Sequence, residues 1–147
     1  MQESPLITKS KTFALEIIRV CNEIKNTKKE SILTNQLICS GTSVGANIRE
    51  AFYARGKADF IAKLQIALKE CSESEYWLEL LIESGYYDKK DILELCLEVK
   101  RLLISSLNTA KQNKSGSIYV TLAPPKPHNP NHLVGTDWFG FCYTNYL

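Results

Sequence analysis

The stretch QLICSGTSVGANIREA, from Gln36 to Ala51, decides how the rest of the chain is interpreted. It contains no proline, and its side chains form two stripes at the spacing of a helix that packs lengthwise on near-parallel neighbours. One stripe is apolar or small: Leu37, Gly41, Val44, Ile48 and Ala51. The other is polar and mostly short: Gln36, Ser40, Ser43, Asn47 and Glu50. Since glycine weakens a helix interior by about 0.8–1.0 kcal/mol relative to alanine, the pattern predicts close helix packing.

A second long helical pattern follows, from residue 59 to residue 84. Its apolar seam consists of Phe60, Leu64, Ala67, Cys71, Ser74, Leu78 and Leu81. Gly56 separates the two helices and suits the left-handed residue that ends a helix. Folding the chain back at this glycine pairs the helices antiparallel and places Glu50 opposite Lys63.

The same register sets two serines of the first helix opposite two carboxylates of the second. Ser43 then faces Glu70, and Ser40 faces Glu73. One hypothesis is that the serine hydroxyls donate to these carboxylates, because a buried carboxylate without donors is unfavourable. The alternative is that both carboxylates point into water, as glutamates on helices usually do, and that the serines only make room.

The composition is that of an ordinary globular domain. The chain has 147 residues, of which 23% are charged and 44% hydrophobic, with a net charge of +2. This length favours one domain whose core needs neither disulfides nor a metal. Charge is uneven: residues 1–57 carry nine Lys or Arg against five Asp or Glu, and residues 58–113 carry seven against ten. Such polarity suits an acidic partner or pairing between copies of the chain.

Cysteine usage and hydropathy indicate the compartment. The five cysteines are scattered, odd in number and without a CxxC motif, which favours a reduced, cytoplasmic protein. The N-terminal MQESPLITKSK lacks the apolar core of a signal peptide. No apolar run approaches the roughly 20 residues of a membrane span. We therefore expect a cytoplasmic protein without membrane contact.

The fold class predicted from these patterns is all-α, an antiparallel up-and-down four-helix bundle with an irregular C-terminal tail. Helix one is expected from Thr8 or Ser10 to Asn26, helix two to about Arg55, helix three to Ser84, and helix four to about Asn113. The bundle thus occupies residues 1–113. Residues 114–147 contain all but one of the five prolines and an aromatic segment, DWFGFCYTNY, and are expected to be extended or poorly ordered.

The sequence offers little for catalysis, a cofactor or a metal. His128 and His132 are spaced like a metal-binding pair on a helix, but Pro130 lies between them. The segment SGTSVG lacks the lysine of a phosphate loop, and no ExxH motif of di-metal bundles is present. Both histidines lie in the tail, so no serine or cysteine has a plausible histidine partner for nucleophilic catalysis. We therefore expect no enzyme, no cofactor and no metal site.

Basic side chains gather near the link between helices two and three. Arg49, Arg55, Lys57 and Lys63 are the candidate nucleic-acid-binding residues, since phosphate contacts require such cations displayed repeatedly. One copy has few of them, whereas a ring of copies multiplies them. The alternative is a solvated rim without a ligand.

The blocks SGTSVGANIREA and KADFIAKLQIALKECSESEYWLELL resemble those of the four-helix-bundle family of 23S rRNA intervening sequence proteins. The resemblance covers about residues 6–113, with Gly56 standing where the family often has serine. It implies a small bacterial protein, often encoded within an insertion in the large ribosomal RNA gene, and a homopentameric barrel without established catalytic activity. The related accessory variability determinant proteins of diversity-generating retroelements form similar pentamers, which bind nucleic acid and a reverse transcriptase through basic surface.

Two functions follow as expectations. The first is a non-catalytic homo-oligomer, expected to be a pentamer, that binds structured RNA or DNA through Arg49, Arg55, Lys57 and Lys63. The alternative is a scaffold or adaptor that binds another protein, such as a reverse transcriptase, and uses the aromatic C-terminal tail for docking.

Overall fold

The computed structural model describes residues 4–112, and all of the regular structure in this range is helical. Helix α1 spans Pro5–Lys28, α2 Ile32–Phe52, α3 Lys57–Glu83 and α4 Asp91–Gln112. Each helix packs antiparallel on the next, and α1 packs on α4 to close the bundle. The predicted all-α four-helix bundle is therefore confirmed. The tail at 114–147 lies outside the described residues.

The core is a continuous cluster of side chains drawn from the facing stripes of all four helices. Among its largest fully buried members are Phe13, Ile17, Leu37, Ile48, Leu64, Leu78 and Leu103. The apolar stripe predicted for α2 is buried, as is the apolar seam predicted for α3. Helical periodicity thus locates the core correctly.

The ends of the helices depend on a few local groups. The Glu30 carboxylate accepts hydrogen bonds from the backbone N–H of Leu33 at 2.8 Å and of Thr34 at 3.0 Å, so it caps the first turn of α2. At the same end of the bundle, Gly85 has φ of 75° and follows the last residues of α3, close to the predicted end at Ser84. The Tyr86 N–H then bonds to the Leu81 carbonyl at 3.0 Å.

The prediction for Gly56 is wrong. Its backbone is extended, with φ of −173°, and it precedes α3 rather than ending α2. Helix α2 stops at Phe52, and the Tyr53 N–H closes its last turn on the Glu50 carbonyl at 3.0 Å. The Asp59 carboxylate accepts a bond from the Arg55 N–H at 3.2 Å and stabilises the link between the helices. No left-handed residue is required here because four residues make the connection.

Within residues 4–112 we find neither a membrane-spanning helix nor a group of side chains that could hold a metal ion. None of the helices in this range is long and apolar enough to cross a membrane. No group of three or more His, Cys, Asp or Glu side chains is placed there to hold a metal ion. His128 and His132, which are spaced like a metal-binding pair, lie outside residues 4–112.

Candidate nucleic-acid interface at the α2–α3 hairpin

The four predicted site residues lie at one end of the bundle, where α2 ends and α3 begins. Arg49 is exposed in the last turn of α2, and Arg55 is exposed in the connection. Lys57 is half-buried as the first residue of α3, and Lys63 lies about two turns further along. The structure thus places all four residues near the hairpin.

Ion pairing divides these residues into two groups. Lys63 forms an ion pair with Glu50, which confirms the predicted register and neutralises its charge. The guanidinium groups of Arg49 and Arg55, by contrast, form no ion pair or side-chain hydrogen bond with any residue in 4–112. Because a guanidinium offers several donors in a planar fork, these two exposed arginines are better suited than the ion-paired Lys63 to contact a phosphate.

The contact between α2 and α3 above the hairpin differs from the prediction. Ser40 is buried, and its hydroxyl meets the hydroxyl of Ser74 at 2.9 Å rather than the carboxylate of Glu73. Ser40 and Ser74 also bond to backbone carbonyls of their own helices, at 3.2 Å and 2.8 Å. These local bonds satisfy the hydroxyls, so neither needs a carboxylate.

Glu70 does not have the serine partner proposed for it. The residue is only 8% exposed although its carboxylate is not fully enclosed, and no hydrogen bond joins it to Ser43 or another side chain among residues 4–112. Burial raises the pKa of the Glu70 carboxyl above its ordinary value, and the charge of Glu73 raises it further. Glu73 instead accepts a bond from the Trp77 indole at 3.3 Å.

The glycines of α2 face α1, whereas its small Ser40 meets α3. A Cβ atom on Gly41 would lie 2.8 Å from Cγ1 of the buried Ile17, closer than such atoms approach. A Cβ atom on Gly45 would meet the Ser10 carbonyl oxygen at an ordinary 3.6 Å. Gly41 is therefore the residue that lets α1 and α2 approach closely.

The side of α2 that faces away from the core is almost free of charge. No Asp, Glu, Lys or Arg occurs between Ser31 and Ile48. We call the outward stripe of this segment the outer face of α2: it consists of Ile32, Asn35, Cys39, Thr42 and Ala46. Ile32 is 70% exposed and Ala46 is exposed, while the other three are half-buried. A helix without charge on any side normally has cover on every side.

Comparisons with known proteins agree with the architecture. A sequence model of the family described as 23S rRNA-intervening sequence protein matches residues 2–105. A crystal structure of a protein of unknown function from the S23 ribosomal protein family, from Bacteroides thetaiotaomicron, superposes with a TM-score of 0.68. Its sequence is 46% identical, and the match covers 69% of this chain and 97% of that chain. A search of curated proteins finds no match.

Proposed function

Because the chain belongs to the 23S rRNA-intervening sequence protein family, we propose that it is a non-catalytic, homo-oligomeric protein that binds RNA or DNA. The phosphate contacts come from the hairpin end of each protomer, with Arg49 and Arg55 as the main donors and Lys57 and Lys63 beside them. The protein acts in the cytoplasm, without a cofactor or metal. The free thiols of Cys21, Cys39, Cys71 and Cys96 support a reducing compartment.

The observation that carries nucleic-acid binding is the pair of unpaired guanidinium groups at the hairpin. Surface arginines with nearby carboxylates are already neutralised, as Arg19 is by Glu16 at 2.7 Å and by Glu23 at 3.3 Å. Arg49 and Arg55 lack such neutralisation within the described residues, so their field is available to a phosphate. Recognition of this kind reads the charge of the backbone and tolerates any base sequence.

Self-association is supported by the outer face of α2. In the protomer this face presents the exposed Ile32 and Ala46 and three half-buried, uncharged side chains over about four turns of helix, and Lys25 bonds to Asn35 at its edge. A second copy offers a surface of suitable chemistry, because its own α2 is equally uncharged and small. We propose that copies pack through this face into a closed ring, with a pentamer as the expected size, which brings the hairpin ends of neighbouring copies side by side.

Ring formation also compensates for the small number of cations in one copy. Two accessible arginines bind phosphate weakly, whereas five such pairs on one particle engage a folded RNA at many points. The apparent affinity then rises because the second and later contacts are intramolecular. Association and nucleic-acid binding are therefore coupled in this proposal.

Salt-dependent binding to a structured RNA tests the proposal. The purified oligomer is expected to bind at low ionic strength, with affinity that falls steeply as salt rises. The double variant Arg49→Ala/Arg55→Ala should lower the slope of log affinity against log salt by about 2 for each protomer in contact. Its matched control is Lys28→Ala/Lys29→Ala, which removes two exposed cations from the opposite end of the bundle.

Three results separate this function from its alternatives. The absence of salt-sensitive RNA binding by the wild-type oligomer contradicts the proposal. An equal loss in the Lys28/Lys29 control also contradicts it, because the charge effect is then not confined to the hairpin. Deletion of residues 115–147 should leave RNA binding unchanged, whereas loss of a protein partner in that deletion favours the adaptor function.

A further inference from the structure

Two cysteine side chains meet in the core between α3 and α4. The sulfur atoms of Cys71 and Cys96 lie 3.8 Å apart, and both residues are fully buried. Each sulfur also contacts the backbone carbonyl of the other residue, at 3.6 Å from Cys71 and 3.5 Å from Cys96. This reciprocal arrangement requires both side chains to point across the same helix contact.

The arrangement is close to that of a cross-link. A disulfide brings its sulfur atoms to about 2.0 Å, so each sulfur must move by less than the length of one bond. Rotation about the two Cα–Cβ bonds supplies such a movement because both sulfurs already face each other. Cys21 provides the contrast: its buried thiol approaches the Thr34 carbonyl at 3.4 Å, and no second sulfur lies beside it among the described residues.

We propose that Cys71 and Cys96 form a two-electron oxidation site, at which a hydroperoxide converts the thiol pair into a disulfide that joins α3 to α4. This inference is independent of nucleic-acid binding and of self-association. The function of this site is to join α3 covalently to α4 under oxidative conditions. The reduced pair packs as small apolar side chains, so the protomer is complete in either state.

The reaction balances without any further group. The Cys71 sulfur attacks one peroxide oxygen, an S–O bond forms, the O–O bond breaks, and the leaving oxygen departs as water or alcohol after taking up a proton. The Cys96 sulfur then attacks the Cys71 sulfur, the S–S bond forms, and the S–O bond breaks. The hydroxyl of the sulfenic acid leaves with the Cys96 proton as a second water. The two thiols lose two electrons, and the peroxide gains them.

The surroundings favour Cys71 as the attacking sulfur. A hydrogen bond shared by the two thiols lowers the pKa of Cys71, burial opposes this shift, and the charge of Lys100 adds to it. The pKa of Cys96 is raised by the same hydrogen bond and by burial. Lys100 is paired with Glu75 across the α3–α4 contact, and the two opposite charges act on the thiols in opposite directions.

Burial limits which oxidants reach the site. Neither thiol is exposed, so reaction requires a small neutral molecule and transient separation of α3 from α4. Hydrogen peroxide meets this requirement, and a bulky disulfide does not. We therefore expect slow oxidation by peroxide, no reaction with a protein disulfide, and strong protection of the cross-link from reductants once it has formed.

Peptide mapping of the full-length protein after treatment with hydrogen peroxide tests the inference. After denaturation and alkylation, trypsin releases Cys71 within residues 70–89 and Cys96 within residues 91–100, each as the single cysteine of its peptide. The expected product is these two peptides joined, with loss of two hydrogens, in a protein that still migrates as one chain without reductant. The Tm of the oxidised protein should rise by about 10 °C, since the cross-link restricts the unfolded chain.

Three matched variants complete the experiment. Cys96→Ala should prevent the cross-link, abolish the rise in Tm and leave Cys71 as an oxygen adduct. Cys71→Ala should also prevent the cross-link and the rise in Tm. Cys21→Ala, which removes the third fully buried thiol of residues 4–112, should leave both unchanged. The inference is overturned if Cys71 and Cys96 remain alkylatable while Cys39 is oxidised, or if Cys71 is joined to any cysteine other than Cys96.

Discussion

The inner and outer faces of α2 are built from similar residues but have different surroundings. On the inner side, Gly41 is packed against Ile17 so closely that a methyl group would overlap it, and Ser40 is bonded to Ser74. On the outer face, Thr42 and Ala46 are also small, but Thr42 is half-buried and Ala46 is exposed. The protomer explains the small residues of the inner face, and we propose that a second copy explains those of the outer face.

The largest expected effect comes from a charge on the outer face. Ala46→Glu should raise the dissociation constant of the oligomer at least about 100-fold, since enclosing an unpaired carboxylate costs about 3 kcal/mol or more. The helical content of the protomer should not change, because Ala46 is exposed there. Analytical ultracentrifugation across a range of concentrations measures the constant.

A second charge substitution serves as the control. Asn108 is exposed on α4, which packs on α3 and α1 and lies diagonally opposite α2, so Asn108→Glu should leave the oligomer intact. If the two variants behave alike, the outer face of α2 has no special role in association.

The inner face is tested by two alanine substitutions that should change the free energy of unfolding in opposite directions. Gly41→Ala should lower the free energy of unfolding by about 1–2 kcal/mol, since overlap with Ile17 outweighs the gain in helix propensity. Gly45→Ala should raise it by about 0.5–1 kcal/mol, because the added methyl finds ordinary contact and the helix is strengthened. Urea denaturation measures both, and a stabilised Gly41→Ala variant would refute the close approach of α1.

The buried serine pair should have a smaller effect. A double-mutant cycle with Ser40→Ala and Ser74→Ala should give a coupling free energy of about 0.5–1 kcal/mol, as expected for one neutral hydrogen bond. The matched cycle of Ser43→Ala with Ser74→Ala should give none. If the effects of the two substitutions simply add, the hydrogen bond between Ser40 and Ser74 contributes no stability, and the bonds to backbone carbonyls satisfy both hydroxyls.

The smallest expected effect depends on pH. Because the pKa of Glu70 is raised in the folded protein, the folded state binds more protons than the unfolded state from the unfolded pKa of about 4.5 up to the folded one. Stability contributed by this group is therefore present at low pH and is lost as pH rises through the folded pKa. Glu70→Gln should increase the free energy of unfolding at pH 7, and Glu73→Gln should increase it by a smaller amount. Equal stability of the wild type and Glu70→Gln at neutral pH would exclude an unfavourable buried charge.

The sequence was sufficient to predict the bundle, its core and the Glu50–Lys63 pair because each depends on helical period and chain order. Side-chain partners across the helix contact were harder to predict. Ser40 meets Ser74 instead of Glu73, since a shift of one residue changes the partner while leaving the apolar seams in contact. The Gly56 prediction was wrong because the Asp59 bond and an extended glycine make the turn without a left-handed residue.

The candidate site was predicted in outline only. Sequence identifies four cations near one link and places Glu50 opposite Lys63, but the structure is needed to show that Arg49 and Arg55 form no such ion pair within residues 4–112. The Cys71–Cys96 contact had a weaker signal: both residues lie on apolar seams, and no spacing rule relates positions on different helices. Such a contact depends on the register between α3 and α4, which the sequence analysis did not assign.

The mass of the purified wild-type particle tests the central claim most directly, namely that a second copy covers the outer face of α2. Light scattering coupled to size-exclusion chromatography should give a closed oligomer at micromolar concentration, with five times the 16.6 kDa of one chain as the expected value. A particle of 16.6 kDa under the same conditions, with Ala46→Glu indistinguishable from it, would contradict the account.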